Sequence, residues 1–349
     1  MRILLRLVLA ILICGAIGWW WFDGEVERIS AAPLNVIEPE VIEVARDSNL
    51  ADLLGEMVKR NYTTSQWWIR RYAITNSVDK QLKVGEFRVL PGDSAATLLR
   101  RIVAGEVIRY RYTIIEGQTL AQVLGSLDSA QFQLTEGLTP ENLSNHLYPG
   151  SGSGPVVGNQ AENLEGWLLP ATYDYVRSDH DLDVLRRAHT AMKDELDRLW
   201  EGRSKDLPYA TPYEALIMAS IIEKETGVVA ERPLIASVFV RRLKLGMMLQ
   251  TDPTVIYGVG AQFDGNLTRQ HLTTATPYNT YTMTGLPPTP ISMPGSDALR
   301  AALQPAIADD LYFVGRGDGT SKFSRTLAEH NKAVDQYQRT PRPAGALQR

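Results

Sequence analysis

Thr211-Pro212-Tyr213-Glu214-Ala215-Leu216-Ile217-Met218-Ala219-Ser220-Ile221-Ile222-Glu223-Lys224-Glu225-Thr226-Gly227 is the stretch on which the reading of the chain turns. It opens as a helix opens: threonine can cap, proline suits the first helical position, and Glu214 completes a capping box. Gly227 is a stop signal. At 100° per residue the apolar side chains cover most of the circumference, so the helix is expected to be buried. The two acids at its end then need a reason. Glu223 shares a face with Leu216, Ala219 and Ser220, where two small residues leave room for a ligand. Glu225 falls on the opposite face, near Met218, Ile221 and Ile222. Apolar surroundings raise a carboxyl pKa and let the group hold a proton near neutral pH, as a general acid must. The competing reading has both acids at a frayed helix end, paired with Lys224 or Arg232. A helix C-terminus disfavours acids, so a structural role alone gains little. Of the two, Glu223 is the expected catalytic group.

On the C-terminal side, Ala230-Glu231-Arg232-Pro233 starts a second helix with Ile235, Val238, Phe239 and Leu243 inward, ended by Gly246. Three proline-punctuated stretches follow: Leu249 to Gly258, Thr276 to Tyr281, and Gly285 to Pro288. Amides and carboxylates bond sugar hydroxyls, and aromatic faces stack on sugar rings. Gln250, Asp252, Tyr278, Asn279 and Tyr281 are therefore the candidate groove residues. Ordinary soluble surface loops are the alternative.

On the N-terminal side, Asp181 to Trp200 reads as a one-faced helix, and the small polar residues of 150–163 as a loop or insertion. Asn49-Leu50-Ala51-Asp52-Leu53-Leu54-Gly55, Ser94-Ala95-Ala96-Thr97-Leu98-Leu99 and Thr119-Leu120-Ala121-Gln122-Val123-Leu124-Gly125 share one form, a polar cap before a short amphipathic helix. The second and third follow a β-like run and a glycine turn, Phe87 to Gly92 and Tyr112 to Gly117, which makes a small α+β module. Residues 23–40, with Pro33, Pro39 and mixed charges, read as a linker. Ahead of it, Leu7 to Phe22 carries no charge. Twenty helical residues span about 30 Å, enough for a hydrocarbon core. Arg2 and Arg6 precede this run and Asp23, Glu25 and Glu27 follow it, which puts the N-terminus in the cytoplasm and the body outside. Trp19-Trp20-Trp21-Phe22 would form an aromatic belt. A cleaved signal peptide, ending at Ala16-Ile17-Gly18, is the other reading. Ile13 before Cys14 argues against lipidation.

The chain has 349 residues, 44% hydrophobic and 22% charged, which suggests two or three folded units and excludes a disordered or polytopic membrane protein. One cysteine excludes an internal disulfide framework and a Cys-rich zinc module. The net charge is −4, so no basic field draws in nucleic acid.

Taken together, these strings resemble the endolytic murein transglycosylases, the MltG/YceG-like family. The resemblance rests on Ala219 to Thr226, Leu249 to Tyr257, Pro277 to Tyr281, Gly285 to Pro288 and Ser324 to Asn331, and extends to the anchor and Leu164 to Tyr173. Val89-Leu90-Pro91-Gly92 and the helix after it resemble a lysin-motif-like module that recognises glycan strands. The implied fold is α+β: a single transmembrane helix over 1–22, a lysin-motif-like region over 41–160, a catalytic domain over 161–340, and a tail over 341–349. The implied activity is cleavage of the bond between N-acetylmuramic acid and N-acetylglucosamine in nascent peptidoglycan, leaving anhydro ends. Glu223, first glutamate of its string, would be the acid/base, with no metal and no cofactor. Peptidoglycan strands, the inner membrane and cell-wall synthases (penicillin-binding proteins) are the implied partners, with the body on the periplasmic side.

Two rivals stand beside this reading: a hydrolase pairing Glu223 with Asp252, and a non-catalytic wall-binding adaptor of synthases. Other motifs carry nothing. Ser77-Val78-Asp79-Lys80 lacks the K-T-G string of penicillin-binding enzymes. His146, His180, His189, His271 and His330 show no metal spacing.

Overall fold

The computed structural model describes residues 2–149 and 163–339. The loop expected over 150–163 lies, Asn163 excepted, outside these residues, as do the boundary expected at 160–161 and the tail over 341–349. The chain divides into two compact units, described separately below.

The first unit holds residues 1–110 with Gln131–Gln133 and Asp174–Asp179. Helix α1 (Arg2–Ala31) is the one helix among the described residues long and apolar enough to cross a membrane, with a mean hydropathy of 2.2 over its best window. It does not end with the apolar run at Phe22, and the stretch read as linker is folded. An ion pair between Glu25 and Arg28 supports the last turns. Val26, Leu34 and Val36 are buried, and the Leu34 amide bonds the Asp93 carbonyl at 2.7 Å. Three apolar side chains outweigh the prolines and charges that suggested a linker.

Strand β1 (Glu40–Val44) pairs antiparallel with β2 (Gly85–Val89), Ile42 opposite Phe87. Between them run α2 (Leu50–Lys59) and α3 (Gln66–Thr75), and α4 (Ala95–Ala104) follows. The core joins Ile42, Leu54, Met57, Ile69, Phe87, Leu98 and Ile102. Burial of each such side chain is worth about 1.5–3 kcal/mol. The caps fall where the sequence puts them. The Asn49 side chain accepts from the Ala51 amide at 2.7 Å, and Ser94 from the Thr97 amide at 3.1 Å.

The second unit holds the rest. Its early elements are α5 (Leu120–Gly125), α6 (Leu143–Leu147) and most of the paired strands β3 (Tyr110–Thr113) and β4 (Thr172–Tyr175), of which Tyr110, Asp174 and Tyr175 are counted with the first unit. The third cap-and-helix string therefore belongs here, not with the first two. The reason lies in contacts distant along the chain: the buried Glu165 carboxylate accepts the Leu120 amide at 2.9 Å, and the Gly117 amide bonds the Met293 carbonyl at 2.9 Å. Then come α7 (Asp181–Glu201), α8 (Pro212–Glu225), α9 (Arg232–Lys244), α10 (Asp252–Val259), α11 (Arg269–Thr273) and α12 (Ser296–Leu303). A hairpin of β5 (Tyr312–Gly315) and β6 (Ser321–Ser324) and helix α13 (Leu327–Val334) complete it. Helix α8 is the axis of this unit. Thr211 and Glu214 form the capping box, every residue from Ala215 to Glu223 is buried, and α7, α9, α10 and α12 pack around it. An aspartate in place of Ile221 would put an unpaired charge in this core and unfold it.

Candidate active site

The C-terminal turn of α8 delivers Glu223 and Glu225. Two residues apart on a helix, they point about 200° apart, so the same turn feeds two separate environments.

On one side, Glu223 is closed in. Its Oε1 takes a charge-assisted hydrogen bond from Arg232 Nη2 at 2.6 Å, and its Oε2 accepts the Gly295 amide at 2.9 Å. The Glu223 and Arg232 side chains are each 4% exposed. Arg232 also reaches the half-exposed Glu116 at 3.2 Å. Burial pushes the Glu223 carboxyl up, while the Gly295 amide and the Arg232 guanidinium pull it back. Both oxygens are thus occupied by N–H donors, the pattern of a carboxylate acting as a buttress. The room expected beside Ala219 and Ser220 is filled by protein. The Ile291 amide bonds Ser220 Oγ at 3.0 Å, the Ser292 hydroxyl donates to the Ser220 carbonyl at 3.2 Å, and Ile291, Ser292 and Met293 are buried. A Cβ at Gly295 would lie 2.0 Å from Oε1 of the half-exposed Glu116, whose side chain would have to move aside.

On the other side, Glu225 lines a cleft of about 470 Å³, a volume suited to a small ligand or part of a chain. Gln250, Asp252, Tyr281, Arg242, Tyr312 and His330 share the lining. The Glu225 carboxyl accepts one hydrogen bond, from the Thr251 hydroxyl. Burial pushes its pKa up to about 7, opposed by Thr251 and assisted by the charge of Asp252. It can therefore be both acid and base near neutral pH.

Hydrogen bonds cross-link the cleft wall. Gln250 holds a left-handed φ of 54°, fixed by its amide on the Thr280 carbonyl at 3.0 Å. Buried Thr251, Thr254 and Thr280 bond one another, the Thr254 and Thr280 hydroxyls at 2.9 Å. Tyr281 donates to Asp252 Oδ1 at 2.6 Å. The Arg242 guanidinium, bound to the Leu249 carbonyl at 2.9 Å and the Leu311 carbonyl at 2.8 Å, lies 5.1 Å from the Tyr312 ring centroid. Tyr312 stacks on His330 at 5.2 Å, which gives the far wall an aromatic face.

Of the residues expected to form the site, Gln250, Asp252 and Tyr281 line this cleft, while Glu223, Tyr278 and Asn279 are not among its lining residues. Asn279 is a buried clamp, its amide donating to the carbonyls of His271, Leu272 and Thr274. Tyr278 packs on Tyr257 at 5.0 Å and bonds Thr289 at 2.8 Å. Asp252 lies beside Glu225, the partner it has here in place of Glu223. The sequence reading passed over Arg242, Thr251, Tyr312 and His330. Thr251 had a signal, since it adjoins two candidate residues. Arg242 and the two rings arrive from elements whose approach no spacing announces.

The YceG-like family matches residues 42–336. The endolytic murein transglycosylase of Bacillus subtilis (strain 168) is 30% identical over 321 residues, covering 89% of this chain and 87% of the relative. The protein of that name from Streptococcus pneumoniae serotype 2 (strain D39) is 29% identical over 282 residues, covering 73% of this chain. The chain spans about half, 51%, of that pneumococcal relative. A yceG-like protein of Listeria monocytogenes, known from a 2.6 Å crystal structure, is similar with a TM-score of 0.52 and 30% identity, covering 84% of this chain and 98% of that one.

Proposed function

We infer from the YceG-like family, to which this chain belongs, that the protein is an endolytic murein transglycosylase, a lyase acting on peptidoglycan. We assign the acid/base role to Glu225 in place of Glu223. One observation carries the assignment: Glu225 shares a cleft with Gln250, Asp252 and Tyr281, whereas both Glu223 oxygens are held by Arg232 and Gly295.

Glu225 in its acid form gives its proton to the oxygen leaving C1 of N-acetylmuramic acid, and the C1–O bond breaks with positive charge on the muramyl ring. The muramyl C6 hydroxyl then attacks C1, and the Glu225 carboxylate takes its proton. An anhydro ring closes, the glutamic acid is regenerated and no water is consumed. Because the substrate supplies the nucleophile, one carboxyl suffices, unlike the pair in ordinary glycosidases. Asp252, oriented by Tyr281, would stabilise the charge on the ring, Gln250 would bond sugar hydroxyls, and the Tyr312–His330 wall would face a ring.

The hydrolytic reading keeps one observation in its favour, the presence of Asp252 beside Glu225. Mass analysis of purified glycan strands after digestion separates the two: anhydro-muramyl ends support the lyase, reducing ends the hydrolase. Binding without cutting would leave the adaptor.

The remaining parts of the reading have their own support. The exposed apolar run of α1, which follows Arg2 and Arg6, supports a single-pass anchor in the inner membrane with the body on the periplasmic side. The small α+β unit around β1 and β2 supports a lysin-motif-like contact with glycan strands. An anchor beside nascent strands would bring the enzyme near cell-wall synthases and let it end strand elongation.

A further inference from the structure

The outer face of α3 carries Trp67, Arg70, Arg71 and Ile74 at helical spacing, and the helix contains no acid. Trp67 is 60% exposed and Ile74 46%. Arg70 is exposed and Arg71 half-buried. This face is continuous with the end of the apolar run in α1. Phe22 meets the Trp67 ring at 5.9 Å and the Trp68 ring at 5.5 Å, and the two tryptophans meet each other at 4.9 Å. Phe22 also lies 6.5 Å from Trp19, whose ring is 5.8 Å from the Arg71 guanidinium. Trp19, Trp20 and Trp21 are themselves largely exposed.

We propose that α3 is an interfacial helix whose Trp67–Ile74 face lies in the anionic headgroup layer of the bilayer that α1 crosses. The proposal rests on the reading of α1 as an anchor. Depth follows from contact: the layer that holds Trp19 and Phe22 holds Trp67, because the rings touch. Tryptophan suits that layer, with an apolar ring and one N–H for water or lipid. Arg70 and Arg71 meet lipid phosphates there, and their helix has no acid to repel those phosphates. A contiguous aromatic patch of this kind marks an interaction surface, and here the adjoining surface is the membrane span itself. The first unit is then held on the bilayer at two places, by α1 and by α3, and does not swing from a single tether.

The test uses the full chain with Cys14→Ser, carrying a nitroxide at Ile74→Cys or at Leu12→Cys, in vesicles of phosphatidylcholine and phosphatidylglycerol. Collision rates with oxygen and with a water-soluble nickel chelate give the depth of each label. The expected result is a lipid-buried label at 12 and an interfacial label at 74, where oxygen collisions exceed nickel collisions. Trp67→Ser with Arg70→Ser should shift the label at 74 to aqueous values. A buried label at 12 with an aqueous label at 74 overturns the docking of α3 alone. Dipolar broadening between labels at 74 overturns it in favour of a second copy on this face. An aqueous label at 12 removes the anchor reading, and the docking of α3 with it.

Discussion

Glu223 and Glu225 leave the same helical turn, and burial raises the carboxyl of each. Their surroundings separate them. Around Glu223, an arginine and a backbone amide each hold one carboxylate oxygen, and the buried segment 291–293 packs on the same side of the helix. Around Glu225, one hydroxyl holds one oxygen and the rest faces a cleft. Burial and a raised pKa are common to buttress and catalyst alike. A free approach to the carboxyl, beside groups that can hold a sugar, is the ground on which we assign the acid/base role to Glu225.

Removing one half of the buttress should produce the largest change. Arg232→Met leaves Glu223 as a buried, unpaired carboxylate, at a cost of about 3–5 kcal/mol. Urea unfolding should show that loss, while the molecules that remain folded keep cutting strands. A full loss of turnover at unchanged stability would erase the distinction between the two sites.

Acidity sharpens the same contrast. Burial raises the Glu225 carboxyl from the ordinary glutamate value of 4.5 to about 7. Its neutral form therefore stabilises the fold fully below about 4.5, and that contribution is lost as pH rises through about 7. The difference is on the order of 3 kcal/mol. Glu225→Gln should flatten this dependence in unfolding measured from pH 5 to 8. The turnover of the unaltered protein should fall roughly tenfold per pH unit above about 7, as the acid form disappears.

Two smaller changes probe the walls of the cleft. Asn279→Ala removes the donors to three carbonyls and should cost about 1–3 kcal/mol of stability, with little effect on turnover per folded molecule. Tyr281→Phe removes the donor that orients Asp252. It should lower turnover about tenfold, roughly 1.4 kcal/mol, with the melting temperature nearly unchanged.

Much of this was legible in the sequence because it is local. The caps at Asn49, Ser94, Thr119 and Thr211 depend on residues within one turn, and the structure places each as expected. Periodicity also separated the two faces of α8 correctly. It could not say what covers each face. Ile291, Ser292 and Gly295 come from about seventy residues away to seal the Glu223 side, and small residues that suggested room for a ligand accommodate backbone instead. Asn279 looked like a sugar ligand because its amide is suited to hydrogen bonding, and the structure spends that capacity on its own loop. The stretch over 23–40 shows the same limit of periodicity. Val26, Leu34 and Val36 are too widely spaced to form a pattern, yet each finds the core.

The most direct measurement compares Glu225→Gln with Glu223→Gln on the same purified glycan strands, with both variants checked for native melting. The account predicts that Glu225→Gln loses strand cleavage by about 10²–10⁴-fold, the usual contribution of a positioned acid and base. It predicts that Glu223→Gln, once corrected for its folded fraction, keeps cleaving. Loss of cleavage in a natively folded Glu223→Gln, with cleavage retained in Glu225→Gln, would contradict it.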